Sequence, residues 1–397
     1  MKFEVQQDEM LNVLSHITGV LERTQTRDVL SHARVRVAEN GELQVSCTDL
    51  TMTMVAQMQL DHVDEPGGAS IPGLRLFNIF RAIRKNEPVV FETAGDMIKI
   101  TSGHSEYELN VMTGPNSTVL DGYLPTPPDD HVEIQIPASR LHEQLMYTNP
   151  VMGVKDSRQY MVATCFELSP TYLRTVSTEA SVLAMATSSG GVPSLGQSDD
   201  DGDGIKRFVV PRKTVLQVTS MCSAANASDV VKMTFGSNHF SANVGVFTLT
   251  SNLVDSVFPQ YQNVFPEEYG WSMVCDRERL REGLDQVEVV AIDSSHRVQW
   301  EFDENVLSMR SASTRNDRVS AQVALDSLTD SRKLAVNGEK VLRVLHALKT
   351  EKVEFSTNAT DLRANIRIVG TKGGDGAEAD ASDDIGVAYL LATMSDR

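Results

Sequence analysis

Asp199, Asp201 and Asp203, followed by Gly204, have the spacing with which a calcium loop begins. Such a loop draws oxygens from alternate positions, turns at a glycine, and closes with a bidentate glutamate at its twelfth position. Here the twelfth position is Val210, so the run reads as an acidic solvated loop and no metal is expected. Covalent chemistry has no better footing. The chain has no glycine loop ending in a phosphate-binding lysine, no His-Glu-x-x-His and no Gly-x-Ser-x-Gly. Its histidines are isolated from one another, and His142 and His346 fall on helical stretches as surface or boundary residues. The acidic pair Asp129-Asp130 sits beside prolines in a connector. Cys47, Cys165, Cys222 and Cys275 show no paired spacing and read as reduced core residues. The expectation is a protein without catalysis or cofactor; an enzyme with an unrecognised site among the acidic loops is the alternative, and substrate turnover would reveal it.

Basic side chains on helical stretches carry a different chemistry. They are Arg75, Arg81, Arg84 and Lys85, then Arg140, Arg212 and Lys213, then Arg277, Arg279, Arg281, Lys340, Arg343 and Lys349. Any one of them can be a solvated helix face. As a set they recur along the chain while much of the acidic charge lies in loops. Lysine and arginine so placed can neutralise phosphates without reading bases, giving weak, salt-dependent, sequence-independent contact.

A third feature is the connector Ser251–Pro266. Pro259 and Pro266 bar a helix and a central strand because neither has a backbone N–H. Phe258, Tyr261, Val264 and Phe265 are costly to leave in water. Either the connector packs on its own domain, or its apolar side walls a groove for a partner.

The elements that position these residues form a repeat. Each of three copies opens with an amphipathic helix: Asp8 before Met10, Leu11, Leu14 and Ile17; Ser139 before Leu141 and Leu145; Asp276 before Leu280, Leu284 and Val287. Asp8, Ser139 and Asp276 are favoured cap types, and the apolar spacing is helical. Alternating strands follow around turns at Glu39-Asn40-Gly41, Ser169-Pro170 and Asp303-Glu304-Asn305. A second helix starts at Pro72, Pro211 and Asn337, roughly 60 to 70 residues after the first in every copy. Strand sets at Val89–Met112, Val230–Leu253 and Val353–Met394 close the copies. This predicts an α+β fold of three repeated domains, each with antiparallel sheets and two helices, over residues 1–125, 131–265 and 266–397. Thr187–Gly204 and Gly370–Gly386 read as mobile loops.

Composition agrees. The chain is too long for one core, 41% hydrophobic and 23% charged. No stretch is long and apolar enough to span a bilayer, and the start lacks a signal-peptide pattern, so a cytoplasmic location is expected. A net charge of −18 argues against a general nucleic-acid coat but permits DNA contact by cations gathered on one surface.

Leu253-Val254-Asp255, Phe258-Pro259 and Tyr261 resemble the segment joining the second and third domains of bacterial sliding clamps, the beta subunits of the replicative polymerase. Met1-Lys2-Phe3, Thr48-Asp49-Leu50 and Val210-Pro211-Arg212-Lys213 carry the same resemblance over the whole chain. It implies a ring-shaped homodimer that encircles duplex DNA and tethers the replicative polymerase, with a clamp loader and other clamp-binding proteins as further partners. Two chains would supply six units, joined head to tail. A clamp-fold protein that sequesters replication or repair proteins without productive loading is the alternative.

The resemblance also implies sites. DNA contact falls to Arg23, Lys155, Arg158 and Tyr160, with Arg75, Arg81, Arg212, Lys213 and Arg343 from the helices. A peptide groove falls to Met161, Thr178, Leu183, Pro259, Val264, Leu390, Leu391 and Met394. The joint between chains brings Tyr107 and Leu109 against Val289 and Val290. Departures from the family pattern lie at Ala180-Ser181-Val182, at Asn263 in place of a groove arginine, at Thr24, and in the ending Ala392-Thr393-Met394. They imply an altered preference among partners.

Overall fold

Among the described residues every α-helix is entered directly from a strand, a junction that helical periodicity alone does not announce. The computed structural model describes residues 1–21, 28–112, 131–197, 204–265, 268–315, 317–358, 365–371 and 385–394. Among these residues lie six α-helices: α1 Gln7–Ile17, α2 Gly73–Ala82, α3 Ala138–Thr148, α4 Arg212–Ala224, α5 Arg277–Ala291 and α6 Gly338–Ala347. The strands leading into them end at Gln6, Pro72, Pro137, Pro211, Asp276 and Asn337. Three of the six junctions are prolines, which stop a ladder by lacking an N–H yet fit the first turn of a helix.

Two of the caps are made by side chains. Asp276 accepts from the Arg279 N–H at 2.8 Å, and Asn337 accepts from the Lys340 N–H at 3.0 Å. The expected caps Asp8 and Ser139 lie inside the first turns of α1 and α3 instead. Asp8 there still favours the helix through the dipole. What fixes the start of α1 is the buried Gln7, whose Nε2 donates to the Phe80 carbonyl at 2.6 Å.

The chain folds into two compact units, 1–142 with 213–253, and 143–212 with 254–397. They cut across the repeats because strands from neighbouring repeats share sheets. In the first unit, an eight-stranded antiparallel sheet runs in the order His131–Pro137, Val230–Gly236, His239–Val244, Phe247–Asn252, Met52–Gln59, Glu42–Thr48, His32–Val37, Gly67–Pro72. Its seam is the pairing of Leu249 with Met54. A five-stranded sheet places Ser105–Asn110 at one edge. Phe91 stacks on Phe3 at 4.8 Å and on Phe80 at 5.8 Å, tying that sheet to α2.

The second unit holds a nine-stranded sheet in which Val182–Ser189 pairs with Ile385–Leu391, Leu183 opposite Leu390. A four-stranded sheet has Arg318–Ala324 at its edge. Trp271, Trp300, Phe302 and Phe355 form a chain of edge-on rings at its core, with centroids 5.0 to 5.9 Å apart. All four cysteines are buried and unpaired, and burial pushes the thiols of Cys165, Cys222 and Cys275 up to about 12. Thiols so held are neutral and inert. Among the described residues no helix is long and apolar enough to cross a membrane.

Candidate functional site

The connector after residue 253 both packs on its own unit and walls a cleft. Its chain leaves the strand Phe247–Asn252 and is pinned when the Val254 N–H donates to the Val209 carbonyl at 2.9 Å. A single 3-10 turn, Tyr261–Val264, fits before Pro266, where the prolines leave no room for more. Phe258 and Tyr261 are buried, with Tyr160 edge-on to Phe258 at 5.9 Å. The Tyr261 hydroxyl donates to Glu167 at 2.8 Å. Glu167 is fully buried and is also held by Arg207 at 2.8 Å and Arg174 at 3.4 Å. Such a carboxylate is tolerable inside a protein only when its charge and lone pairs are met in this way. The connector is therefore anchored by a buried charge network as well as by rings.

Between this anchor and the seam of the nine-stranded sheet is a cleft of about 180 Å³. Met161, Thr178, Leu183, Pro259, Val264 and Leu390 line it, as expected for the peptide groove. Leu391 does not. Side chains alternate along a strand, so Leu390 faces the cleft while Leu391 is fully buried in the core containing Tyr389 and Trp271. Met394 is also absent from the lining; its N–H donates to the Ala335 carbonyl at 2.8 Å, which turns the chain aside. Tyr160, expected beside DNA, stands in the cleft wall. Asn263 lies outside it, donating to Gln260 at 3.4 Å. Asn365 and the turn Ala180–Ser181 line the cleft without having been expected to. The Ala180 backbone is left-handed, at φ 47°, a conformation that forces a tight turn.

The helix cations separate into two kinds. Arg75, Arg81, Arg84 and Lys85, on and just after α2, are exposed and have no carboxylate partner among the described residues; Arg81 lies over the Phe77 ring at 5.6 Å. Others are engaged internally. Lys213 pairs with Asp49 and donates to the Val20 carbonyl at 2.7 Å. Asp49 in turn accepts from Thr51 and from the Met52 N–H, so two motifs far apart in sequence meet in one staple. Burial opposes the charge on Asp49, but the Lys213 and Thr51 hydrogen bonds outweigh it and hold the carboxyl below the ordinary aspartate range. Arg212 donates to the Met152 carbonyl at 2.8 Å, and burial lowers its pKa. Arg343 pairs with Glu179 at 2.6 Å.

On α5, Arg281 is matched by Glu278 and Asp285. Arg158 is forked onto Asp156, whereas Lys155 is exposed. Arg23 lies outside the described residues, as do Asp199, Asp201 and Asp203.

Of the residues expected at a joint between chains, Val289 is 76% exposed and Val290 is half-buried, on the last turns of α5. Ile292, just beyond, is 61% exposed and belongs to the same apolar spot. Tyr107 is half-buried and Leu109 buried on the edge strand Ser105–Asn110, so Leu109 is chiefly a core residue.

Comparison with known proteins covers this whole arrangement. Residues 1–117 match the N-terminal domain of the DNA polymerase III beta subunit, 135–260 its central domain and 262–370 its C-terminal domain. The chain is 27% identical to the beta sliding clamp of Escherichia coli K12 over 93% of its length and 95% of that protein's. It is 25% identical to that of Pseudomonas aeruginosa over 99% of its length and all of the relative's. A crystal structure of the P. aeruginosa sliding clamp bound to griselimycin superposes with a TM-score of 0.86 at 24% identity, covering 100% of this chain and 99% of that one. A crystal structure of the DNA polymerase III beta subunit from Thermotoga maritima matches with a TM-score of 0.85 at 19% identity, covering both chains in full. Three consecutive domain matches, in order and spanning most of the sequence, make the chain a divergent member of the bacterial sliding clamp family, the beta subunits of DNA polymerase III.

Proposed function

We propose that two copies of this chain close into a ring around duplex DNA and tether the replicative polymerase through the cleft at the Leu183–Leu390 seam. The protein performs no covalent chemistry and needs no cofactor. Tethering makes polymerase rebinding intramolecular, at a high effective concentration. The observation that carries this reading is the preformed apolar cleft: it is built by strands of two repeats and by the connector, on an anchored frame, in a chain whose family is that of the clamps. Its aliphatic lining suits the apolar anchors of a short peptide. Polymerase, clamp loader and other proteins bearing such a peptide are the partners, and the cytoplasm is where they meet DNA.

The exposed cations after Gly73 supply phosphate contact that is loose enough for sliding. We place Arg75, Arg81, Lys155, Arg212, Lys213 and Arg343 on the DNA side, with Lys213 and Arg343 sharing their charge with internal carboxylates. The domains divide at 1–125, 131–265 and 266–397. In the joint, the open edge Ser105–Asn110 of one copy meets the open edge Arg318–Ala324 of the other, with Tyr107 and Leu109 toward Val289 and Val290. The outward residues Glu106 and Glu108 then face Arg310 and Arg318.

Loading onto nicked circular DNA, followed by linearisation, tests the ring. Retention on the circle and loss from linear ends is expected. A protein that binds the polymerase peptide but stays on neither DNA would be a sequestering clamp-fold protein, the second reading, which the departures at Glu179–Val182 favour.

A further inference from the structure

The rim of the cleft is held by the helix that carries Arg343. The turn Glu179–Ala180–Ser181 joins two strands of the nine-stranded sheet and lines the cleft with Ala180 and Ser181. Two cations of α6 reach it from the same side. Arg343 Nη1 donates to Glu179 at 2.6 Å and to the Pro150 carbonyl at 3.3 Å. Lys340 Nζ, one helical turn earlier, donates to the Ser181 hydroxyl at 2.8 Å. The turn is also held within itself, where Thr178 donates to the Val182 carbonyl and the Ser181 N–H donates to the Glu179 carbonyl, and from the last strand, where the Ala392 N–H donates to the Ser181 carbonyl. Arg343 keeps about a quarter of its side chain in solvent, which leaves an anion a way to it; Glu339, 3.6 Å from its Nε, competes for the same charge.

We propose that α6 latches the rim of the peptide cleft through Arg343–Glu179 and Lys340–Ser181, so that a DNA phosphate drawn to Arg343 competes with Glu179 and loosens partner binding. The proposal rests on the reading of the cleft as a peptide site and of α6 as a DNA-side helix. Arg343 and Lys340 are positioning residues for the cleft: neither lines it, and both fix a turn whose backbone is strained at Ala180. A guanidinium shared between two anions binds each less well when the other is present, and the linkage is reciprocal. Partners should therefore bind the free ring more tightly than the ring whose α6 is on phosphate, which favours exchange of partners during sliding.

The test uses the full-length protein and a fluorescent peptide from its own polymerase, titrated with and without saturating short duplex DNA. In the wild type, DNA should weaken the peptide several-fold. Glu179→Gln cuts the latch: its peptide affinity without DNA should fall several-fold, and adding DNA should change it no further. Arg343→Ala should behave likewise. The double variant should be no weaker than either single one, because both remove the same interaction. Arg343→Lys, which keeps the charge but not the guanidinium that reaches both Glu179 and the Pro150 carbonyl, should recover part of the affinity. An equal DNA effect in wild type and Glu179→Gln, no DNA effect in wild type, or additive losses would each overturn the latch. Leu183→Ala separates this from the underlying reading. If it releases the peptide while the latch variants bind normally, the latch fails and the cleft stands; if it binds normally too, the cleft reading itself fails.

Discussion

Leu390 and Leu391 differ by one position and have different tasks. Leu390 lies in the cleft with Leu183, whereas Leu391 is sealed in the core with Val182, Tyr389 and Trp271. Leu183→Ala should weaken an apolar partner peptide by roughly 2 kcal/mol, about thirtyfold, with little change in melting. Leu391→Ala should instead cost about 2–5 kcal/mol of stability, and should affect the peptide only through the fold. Calorimetry with a peptide titration checks both; a Leu391→Ala protein of wild-type stability that has lost the peptide would reverse the assignment. The parity was not legible in the sequence, because both residues are leucine and a shift of one residue exchanges the faces. Asp49 is a second case. Its folded carboxyl is held below the unfolded value, so the Lys213 staple contributes stability above about pH 4. That contribution should disappear as pH falls through the lower, folded value. Asp49→Asn should flatten this acid limb in a melting series, and an unchanged limb would exclude the staple.

Among elements, the helices were the most legible, since Met10, Leu14 and Ile17, or Leu280, Leu284 and Val287, announce a buried stripe by period alone. Their entry from strands was not, because Gln6, Pro72 and Pro137 end ladders whose partners lie far away in sequence. The helix cations were visible as residues, but their pairing was not. Lys213 reaches Asp49 across 164 positions, and Arg343 reaches Glu179 across the same separation. Neutralising Arg75, Arg81, Arg84 and Lys85 together should cut retention on DNA and lower the salt slope by up to about four phosphate contacts, with the fold intact. Neutralising Arg281 and Arg279 on α5 should change neither as much, since Arg281 is already matched by acids. Salt-dependent DNA binding of the two variants decides it, and equal slopes would return the α2 cations to ordinary solvated surface.

At the scale of the molecule, the threefold repeat was readable from helix spacing, but the compact units were not. Strands of neighbouring repeats merge at Leu249–Met54 and at Leu183–Leu390, and only long-range pairing shows this. The edge strand Ser105–Asn110 carries Glu106 and Glu108, whereas the edge strand Arg318–Ala324 carries Arg318, with Arg310 exposed on the strand beside it. Reversing the acidic pair to lysine should split the dimer in sedimentation, and reversing Arg310 and Arg318 to glutamate as well should restore it. A dimer indifferent to both changes would place the joint elsewhere. Closure into a ring is a topological property, and it is read from the lifetime of the protein on nicked circular DNA, before and after a single cut, with a loader present. A ring predicts long residence on the circle and rapid loss once the DNA has ends. Equal lifetimes on circular and linear DNA would contradict it.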